Sequence, residues 1–126
     1  MVRIAIVGSP RAGKTTLAGV LGRELEFPIV HADDMIELGW SGASDALAAQ
    51  LARADGHCIW EGVMVVRALR KALNVAPTRP VDRCIVLERP WVRLTAGQRA
   101  MQRGCATILA GIEPELVRRG VEVVRP

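Results

Sequence analysis

Residues 4–22 read IAIVGSPRAGKTTLAGVLG, which is an apolar run, a glycine-bounded loop and a helical repeat around one lysine. The run from Ile4 to Val7 is short and β-branched, as is typical of a buried parallel strand. After the loop, apolar side chains recur at helical spacing, at Leu17, Val20, Leu21 and Leu25. The stretch therefore predicts a strand, a loop and a helix in direct succession, which is the first unit of an α/β fold.

The loop has the spacing of a phosphate-binding loop: glycine, four residues, glycine, lysine, then serine or threonine. Backbone N–H groups in such a loop, with the positive end of the following helix, form a cradle for phosphate oxygens. Lys14 then supplies a point charge to the terminal phosphates, and the Thr15 hydroxyl supplies a ligand for Mg²⁺. The predicted nucleotide-binding residues are Gly8, Ser9, Pro10, Arg11, Ala12, Gly13, Lys14, Thr15 and Thr16.

Length and composition predict one α/β domain that spans residues 1–126. Apolar residues make up 50% of the chain, but Phe is single and Tyr is absent, so Val, Leu, Ile and Ala must build the core. That composition suits a parallel sheet covered by helices.

No apolar stretch approaches the length of a membrane span, and the first ten residues lack a signal-peptide cleavage region. We therefore expect a cytoplasmic protein without membrane contact.

The cysteine count and the charge give weaker indications. Cys58, Cys84 and Cys105 are odd in number, widely spaced and set in apolar segments, which predicts buried thiols rather than a disulfide framework or a zinc site. The formal net charge is +4, and only Lys14 and Lys71 among the 17 basic residues are lysines. The arginine excess fits anionic ligands and fits genomic base composition equally well.

The rest of the chain alternates between strand and helix patterns. The predicted elements are a strand at Ile29–His31, a helix over 44–54 with Ser44 as N-cap and Leu47, Leu51 and Ala54 on one face, a strand over 57–63, a short helix at Val66–Leu73, a strand over 83–90, a helix from about Val92, a short helix from Pro114 to Gly120 and a strand over 121–124.

Strands separated by helices favour parallel pairing through right-handed crossovers, with ligands at the carboxyl ends of the strands. Polar residues fall at these ends. The phosphate loop follows the first strand, Asp33 and Asp34 follow the second, Glu61 and Gly62 close the third, and Arg89 follows the fourth. We therefore expect one edge of the sheet to gather the loop, three carboxylates and an arginine.

The segments GSPRAGKTT, HADDMIE and IWEG, in this order, resemble those of the small P-loop kinases. This group contains nucleoside and nucleotide kinases, shikimate, gluconate and chloramphenicol kinases and the kinase domain of polynucleotide kinase. The resemblance covers nearly the whole chain and weakens after about Pro90. It implies a three-layer P-loop fold with a five-stranded parallel sheet in the order 2-3-1-4-5, ATP on the loop and an acceptor above the second and third strands. The adenine-holding loop of these kinases commonly follows the fifth strand, and the given sequence ends two residues after VEVV, so we expect weak choice of the base.

The resemblance also implies roles for the carboxylates. An aspartate just after the second strand takes the proton of the acceptor hydroxyl or positions it, and the trailing IE of DDMIE puts Asp33 at that place, with Asp34 as runner-up. Asp33 is also a predicted Mg²⁺ ligand beside Thr15. Glu61 and Gly62, with both aspartates, are the predicted acceptor-binding residues, and Glu61 also suits a magnesium-bound water. Helix capping by the aspartates and a solvated strand end for Glu61 are the alternatives.

In the resembled kinases a lid with arginines follows the fourth strand and closes over the phosphates. Arg99 and Arg103 are four residues apart in a predicted helix and share a face, so they are the candidate catalytic arginines. A solvated helix face is the alternative. Four further residues are assigned to the acceptor side or to ordinary core and hydrogen-bonding roles, namely His31, His57, Trp40 and Trp60.

The favoured function is an ATP-dependent phosphotransferase that moves the γ-phosphoryl group to a small hydroxyl or phosphate acceptor, with Mg²⁺ as cofactor. One alternative is an ATPase or nucleotide-binding switch that acts on a partner. Another is a nucleic-acid 5′-hydroxyl kinase, which the basic charge and HADD support only modestly. The oligomeric state stays open, with Trp91 and the apolar side of the long helix as a contact surface.

Overall fold

The computed structural model describes residues 2–53 and 56–126, with Ile36 described by its backbone alone. In these residues strands and helices alternate along the chain. The elements are β1 (Arg3–Gly8), α1 (Lys14–Leu25), β2 (Ile29–His31), a 3₁₀ helix (Ala32–Leu38), α2 (Gly39–Ala52), β3 (Cys58–Glu61), α3 (Val65–Val75), β4 (Arg83–Leu87), α4 (Ala96–Arg118) and β5 (Glu122–Val124).

The strands form one sheet in the order β2-β3-β1-β4-β5, and all neighbours are parallel. The predicted fold class and strand order are therefore confirmed. β1 lies at the centre, with Ile4 paired to Ile59 of β3 and Ile6 paired to Ile85 of β4. Because every strand points the same way, the segments that follow β1, β2, β3 and β4 all emerge at one edge of the sheet.

The core lies on both faces of the sheet, which makes three layers. Alternate residues of β1 point to opposite faces: Ile4 and Ile6 pack with Ala18 of α1, whereas Val7 faces α3 and α4. The second face buries side chains such as Leu69 of α3, along with Leu47, Leu109 and Leu116 of α2 and α4. Val, Ile, Leu and Ala thus form nearly the whole core, as the composition predicted.

Two predicted helix starts are wrong. α2 begins at Gly39, because the 3₁₀ helix runs into it without a break, and Ser44 lies inside α2. The buried Ser44 hydroxyl donates to the Trp40 carbonyl at 2.9 Å instead of capping a helix. α4 begins at Ala96, not near Val92, and Thr95 is its N-cap. Ala54, which the sequence analysis places on the same helix face as Leu47 and Leu51, lies outside the described residues.

The predicted break at Pro114 is also wrong, because α4 continues through this proline to Arg118. A proline in a helix leaves the carbonyl four residues earlier without its N–H donor. Pro114 and Ala110 both lie on the exposed side of α4, where water can hydrate that carbonyl.

Among the helices of the described residues, none is long and apolar enough to cross a bilayer.

Candidate active site

Two glycines shape the phosphate loop. Gly8 has φ 132°, and a Cβ at this position would collide with the Leu87 backbone of β4, where Ser9 N donates to the Leu87 carbonyl at 2.9 Å. Gly13 has φ 88° and precedes the first residue of α1, and a Cβ there would collide with the ring of Trp91. Both positions therefore need glycine for conformation and for space.

Lys14 is the first residue of α1, and it is buried although it is charged. Its Nζ donates to the carbonyl of Ser9 across the loop. Burial lowers the pKa of Lys14, while the negative charges of Glu61 and Asp33 act in the opposite direction. An ammonium beside a loop of N–H donors and a helix N-terminus is an arrangement that favours a polyanionic ligand.

Glu61 closes β3 and is only 2% exposed. Its carboxylate accepts a hydrogen bond from the Thr15 hydroxyl at 3.2 Å and lies 2.7 Å from Nδ1 of His31. The parallel register pairs His31 with Glu61 directly, and β3 lies beside β1, so the carboxylate reaches the start of α1. The sequence analysis names Thr15 and Asp33 as Mg²⁺ ligands and Glu61 as a residue that suits a magnesium-bound water, and in the structure the carboxylate that contacts Thr15 is that of Glu61. This contact depends on the register of the strands, which the sequence motifs do not specify.

Asp33 and Asp34 lie in the first turn of the 3₁₀ helix, and both are exposed. Asp33 lines the cavity over the phosphate loop, and Asp34 does not. Gly62 has φ 137°, and a Cβ on it would come within 2.7 Å of the Ala32 side chain. Gly62 thereby lets the end of β3 lie close to the segment that carries Asp33.

The cavity has a volume of about 670 Å³ and joins the loop to both carboxylates. Its lining includes residues 10–16 of the phosphate loop together with Asp33 and Glu61. Eight further residues complete the lining, namely Trp40, Gly62, Val63, Met64, Trp91, Val92, Gln98 and Met101, of which Gln98 lies in the first turn of α4. Most of the sequence-predicted site residues thus meet in one space.

The N-terminal half of α4 packs onto the phosphate loop through residues that the sequence did not single out. Gln102 donates from Nε2 to the Ser9 hydroxyl at 3.1 Å, and Gln98, one turn earlier, lines the cavity. Their four-residue spacing was the available signal, since it puts them on one helix face.

The two candidate catalytic arginines are exposed and do not line this cavity. Arg99 donates to the Leu94 carbonyl at 2.9 Å. Arg103 lines a second cavity of about 400 Å³ together with Gly8 and Ser9. Their role in transfer stays a prediction.

The aromatic and imidazole candidates divide between the site and the core. Trp40 and Trp91 are exposed at the cavity, at 45% and 70%. Trp60 is buried, and its Nε1 donates to Gln50 at 3.0 Å. His57 accepts from the Val2 N–H and stacks on Phe27, so it belongs to the opposite end of the sheet. The sequence prediction noted Trp91 only as a contact surface, and its contact with the loop was missed.

The donor set fits magnesium. Thr15, Asp33 and Glu61 present hydroxyl and carboxylate oxygens to the cavity, and these are the ligands that Mg²⁺ prefers. Within residues 2–53 and 56–126 no cluster of three or more His, Cys, Asp or Glu forms a metal site. Mg²⁺ usually keeps several water ligands and is held by one or two carboxylates together with substrate phosphates. The three cysteines are free, with Cys84 and Cys105 buried and Cys58 half-buried.

No protein-family model matches the chain, and no curated protein matches its sequence. Solved structures of three shikimate kinases do match its fold. The enzyme from Aquifex aeolicus is 15% identical with a TM-score of 0.57, over 87% of this chain and 82% of that one. The enzyme from Acinetobacter baumannii, in complex with shikimate, is 13% identical with a TM-score of 0.56, over 100% and 84%. The enzyme from Bacteroides thetaiotaomicron is 15% identical with a TM-score of 0.50, over 98% and 85%. The chain therefore has the fold of the shikimate kinases, which are small P-loop kinases, and the resemblance inferred from the sequence is confirmed for the fold.

Proposed function

We propose that this protein is an ATP-dependent phosphotransferase that moves the γ-phosphoryl group to a hydroxyl of a small molecule. One observation carries the proposal: a single cavity joins the phosphate loop and Lys14 to the carboxylates of Asp33 and Glu61. A P-loop nucleotide site needs the loop and a carboxylate for Mg²⁺, and Glu61 beside Thr15 can meet that need. Asp33 is a further carboxylate on the same cavity, and it gives a place for an acceptor.

The donor end of the cavity is the loop with Lys14 and Thr15. Loop N–H groups and the Lys14 ammonium would bind the β- and γ-phosphates of ATP. Thr15 and Glu61, which are in hydrogen-bond contact, would hold Mg²⁺ directly or through water. Bound Mg²⁺ supplies charge neutralisation on the phosphate oxygens. Lys14 would leave the Ser9 carbonyl to reach the phosphates, since its Nζ is a donor on a flexible stem.

The acceptor end is the side that carries Asp33, Trp40 and Met64. The acceptor oxygen would attack the γ-phosphorus, the bond from that phosphorus to the β,γ-bridging oxygen would break, and ADP would leave. The hydroxyl proton would pass to the Asp33 carboxylate. The shikimate kinase neighbour was solved with shikimate, and at 13% identity we propose for this chain only the class of small hydroxyl compounds. The cytoplasm, where ATP is abundant, is the expected compartment.

A transfer assay with γ-labelled Mg-ATP and a panel of small hydroxyl compounds, shikimate included, tests this function. We expect label on one class of acceptor. Asp33→Asn keeps the shape and removes the charge, so transfer should fall by about 100-fold or more while ATP affinity changes little. Asp45→Asn is the matched control, because Asp45 is an exposed acid that pairs with Lys71 away from the cavity.

Other outcomes of the same assay would contradict the proposal. Label released only to water would indicate the ATPase or switch function, and label on an oligonucleotide end would indicate a 5′-hydroxyl kinase. Transfer by Asp33→Asn within a few-fold of the wild-type rate would move the base to Asp34 or Glu61. Equal losses of ATP affinity and rate would instead assign Asp33 to magnesium.

A further inference from the structure

We propose that Trp91 is the platform on which the base of the nucleoside triphosphate stacks, an inference that rests on the proposed function and names the residue that positions the donor. Trp91 lies in the loop between β4 and α4, at the phosphate loop and on the wall of the cavity. Neither the phosphate-loop motif nor the carboxylate segments include it.

The indole is fixed to the phosphate loop at two points. The Trp91 backbone N–H donates to the Arg11 carbonyl at 2.8 Å. The edge of its six-membered ring lies against Gly13, so closely that any side chain at position 13 would collide with it. Backbone and ring are therefore both held by the loop that would bind the phosphates. A group held in this way loses little further freedom when a ligand binds.

Trp91 is nevertheless 70% exposed, although large aromatic residues are mostly buried. Trp60, by contrast, is 3% exposed in the same protein. The packing of its ring against Gly13 thus leaves most of Trp91 exposed, and Trp91 is one of the residues that line the cavity beside the loop. A rigid, flat apolar surface of this kind gains free energy when another flat ring covers it.

The chemistry of the donor identifies that ring. With the terminal phosphates at Lys14 and Gly13, the remaining parts of the donor are the ribose and the base, for which the same cavity offers the wall that carries Trp91. The base has a π-face that stacks on tryptophan, and stacking is tolerant of base identity because every base has such a face. We therefore expect purine triphosphates to bind alike and pyrimidine triphosphates, with their smaller rings, to bind more weakly.

Inorganic triphosphate is the probe that separates the base from the phosphates. Mg-ATP and Mg-triphosphate are titrated into the wild-type protein, Trp91→Ala and Trp91→Phe by calorimetry. We expect Trp91→Ala to weaken ATP binding by about 5- to 150-fold and to leave triphosphate binding within twofold. Trp91→Phe keeps a flat ring and should retain most of the ATP affinity. Val75→Ala removes another exposed apolar side chain, at the end of α3 and away from the cavity, and should change neither affinity.

The outcomes distinguish this inference from the proposed function. Equal weakening of ATP and triphosphate by Trp91→Ala overturns the inference and leaves the function standing, because Trp91 would then only shape the loop. Unchanged ATP binding in Trp91→Ala overturns the inference as well. It is also overturned if the wild type forms a dimer that Trp91→Ala does not form, while the two proteins bind ATP with the same affinity. No binding of either probe by the folded wild-type protein overturns both. Thermal unfolding of each variant checks that the fold is retained.

Discussion

At the scale of single residues, the buried charge of Lys14 lowers the stability of the ligand-free protein. Burial lowers its pKa, so the folded state binds this proton less tightly than the unfolded state does. The charge therefore destabilises the fold below the lowered pKa. That cost decreases as the pH rises from the lowered pKa towards 10.5, the unperturbed value. The carboxylate of Glu61 offsets part of it.

We predict that Lys14→Met, which keeps the length and the apolar stem, leaves the nucleotide-free protein at least as stable as the wild type. The advantage of the variant should be largest at neutral pH and shrink as the pH approaches 10.5. The same variant should lose most of its affinity for Mg-triphosphate. Denaturant unfolding at several pH values and calorimetric titration measure the two effects. A less stable variant that still binds triphosphate would contradict the assignment.

The residues of the site differ in how far the sequence could predict them. Gly8 to Thr15 form a contiguous motif whose spacing predicts a loop between a strand and a helix, and the structure has this loop between β1 and α1. The contact of Glu61 with Thr15 depends instead on the registers of β3 with its two neighbours. The contact of Trp91 with Gly13 depends on a loop conformation that no local periodicity encodes. Contacts between segments far apart in sequence are thus the part that was missed.

At the scale of elements, α4 begins with a complete capping box. The Thr95 hydroxyl accepts from the Gln98 N–H at 3.1 Å, and the Gln98 side chain accepts from the Thr95 N–H at 2.9 Å. Two N–H groups that would otherwise lack partners are thereby satisfied. This cap fixes the start of the helix that presents Gln98 to the cavity and Gln102 to Ser9.

We predict that Thr95→Ala lowers the free energy of unfolding by about 1 kcal/mol, the usual effect of losing a threonine N-cap. Thr107→Ala is the matched control, because Thr107 is an exposed threonine of the same helix whose hydroxyl donates to the Arg103 carbonyl. Alanine favours the helix interior, so this control should be neutral or slightly stabilising. Urea unfolding of both variants measures the difference. Equal effects would show that the cap contributes nothing beyond helix propensity.

Helix boundaries were harder to predict than helix existence, and the reasons are local. Gly39 and Gly42 have low helix propensity, so the first turns of α2 gave no sequence signal, and the preceding 3₁₀ helix supplies the start instead. Proline is common at the first position of helices, so Pro114 led to the prediction that a new helix starts there. The long-range packing of Ile112 and Leu116 overrides that local preference and keeps α4 continuous.

At the scale of the whole molecule, parallel pairing brings together residues that lie far apart in sequence. Lys14, Asp33, Glu61 and Trp91 follow or close β1, β2, β3 and β4, and one edge of the sheet collects them. The sequence predicted this convergence for Lys14, Asp33 and Glu61, because the alternation of strands and helices leaves few topologies. After β4 it predicted Arg89 at this edge and not Trp91. A ligand in the cavity would therefore contact several elements at once, and its binding would resist the unfolding of all of them.

We predict that saturating Mg-ATP stabilises the entire described fold as one cooperative unit. Mass action gives about 2.7 kcal/mol when the free ligand is at 100 times its Kd, which corresponds to a rise in Tm on the order of 10 °C for a domain of this size. Scanning calorimetry should show a single transition with and without the ligand, because the chain is predicted to be one domain. Lys14→Met should show no rise. Two transitions, only one of which moves with Mg-ATP, would contradict the single domain, and an equal rise in Lys14→Met would place the nucleotide outside the phosphate loop.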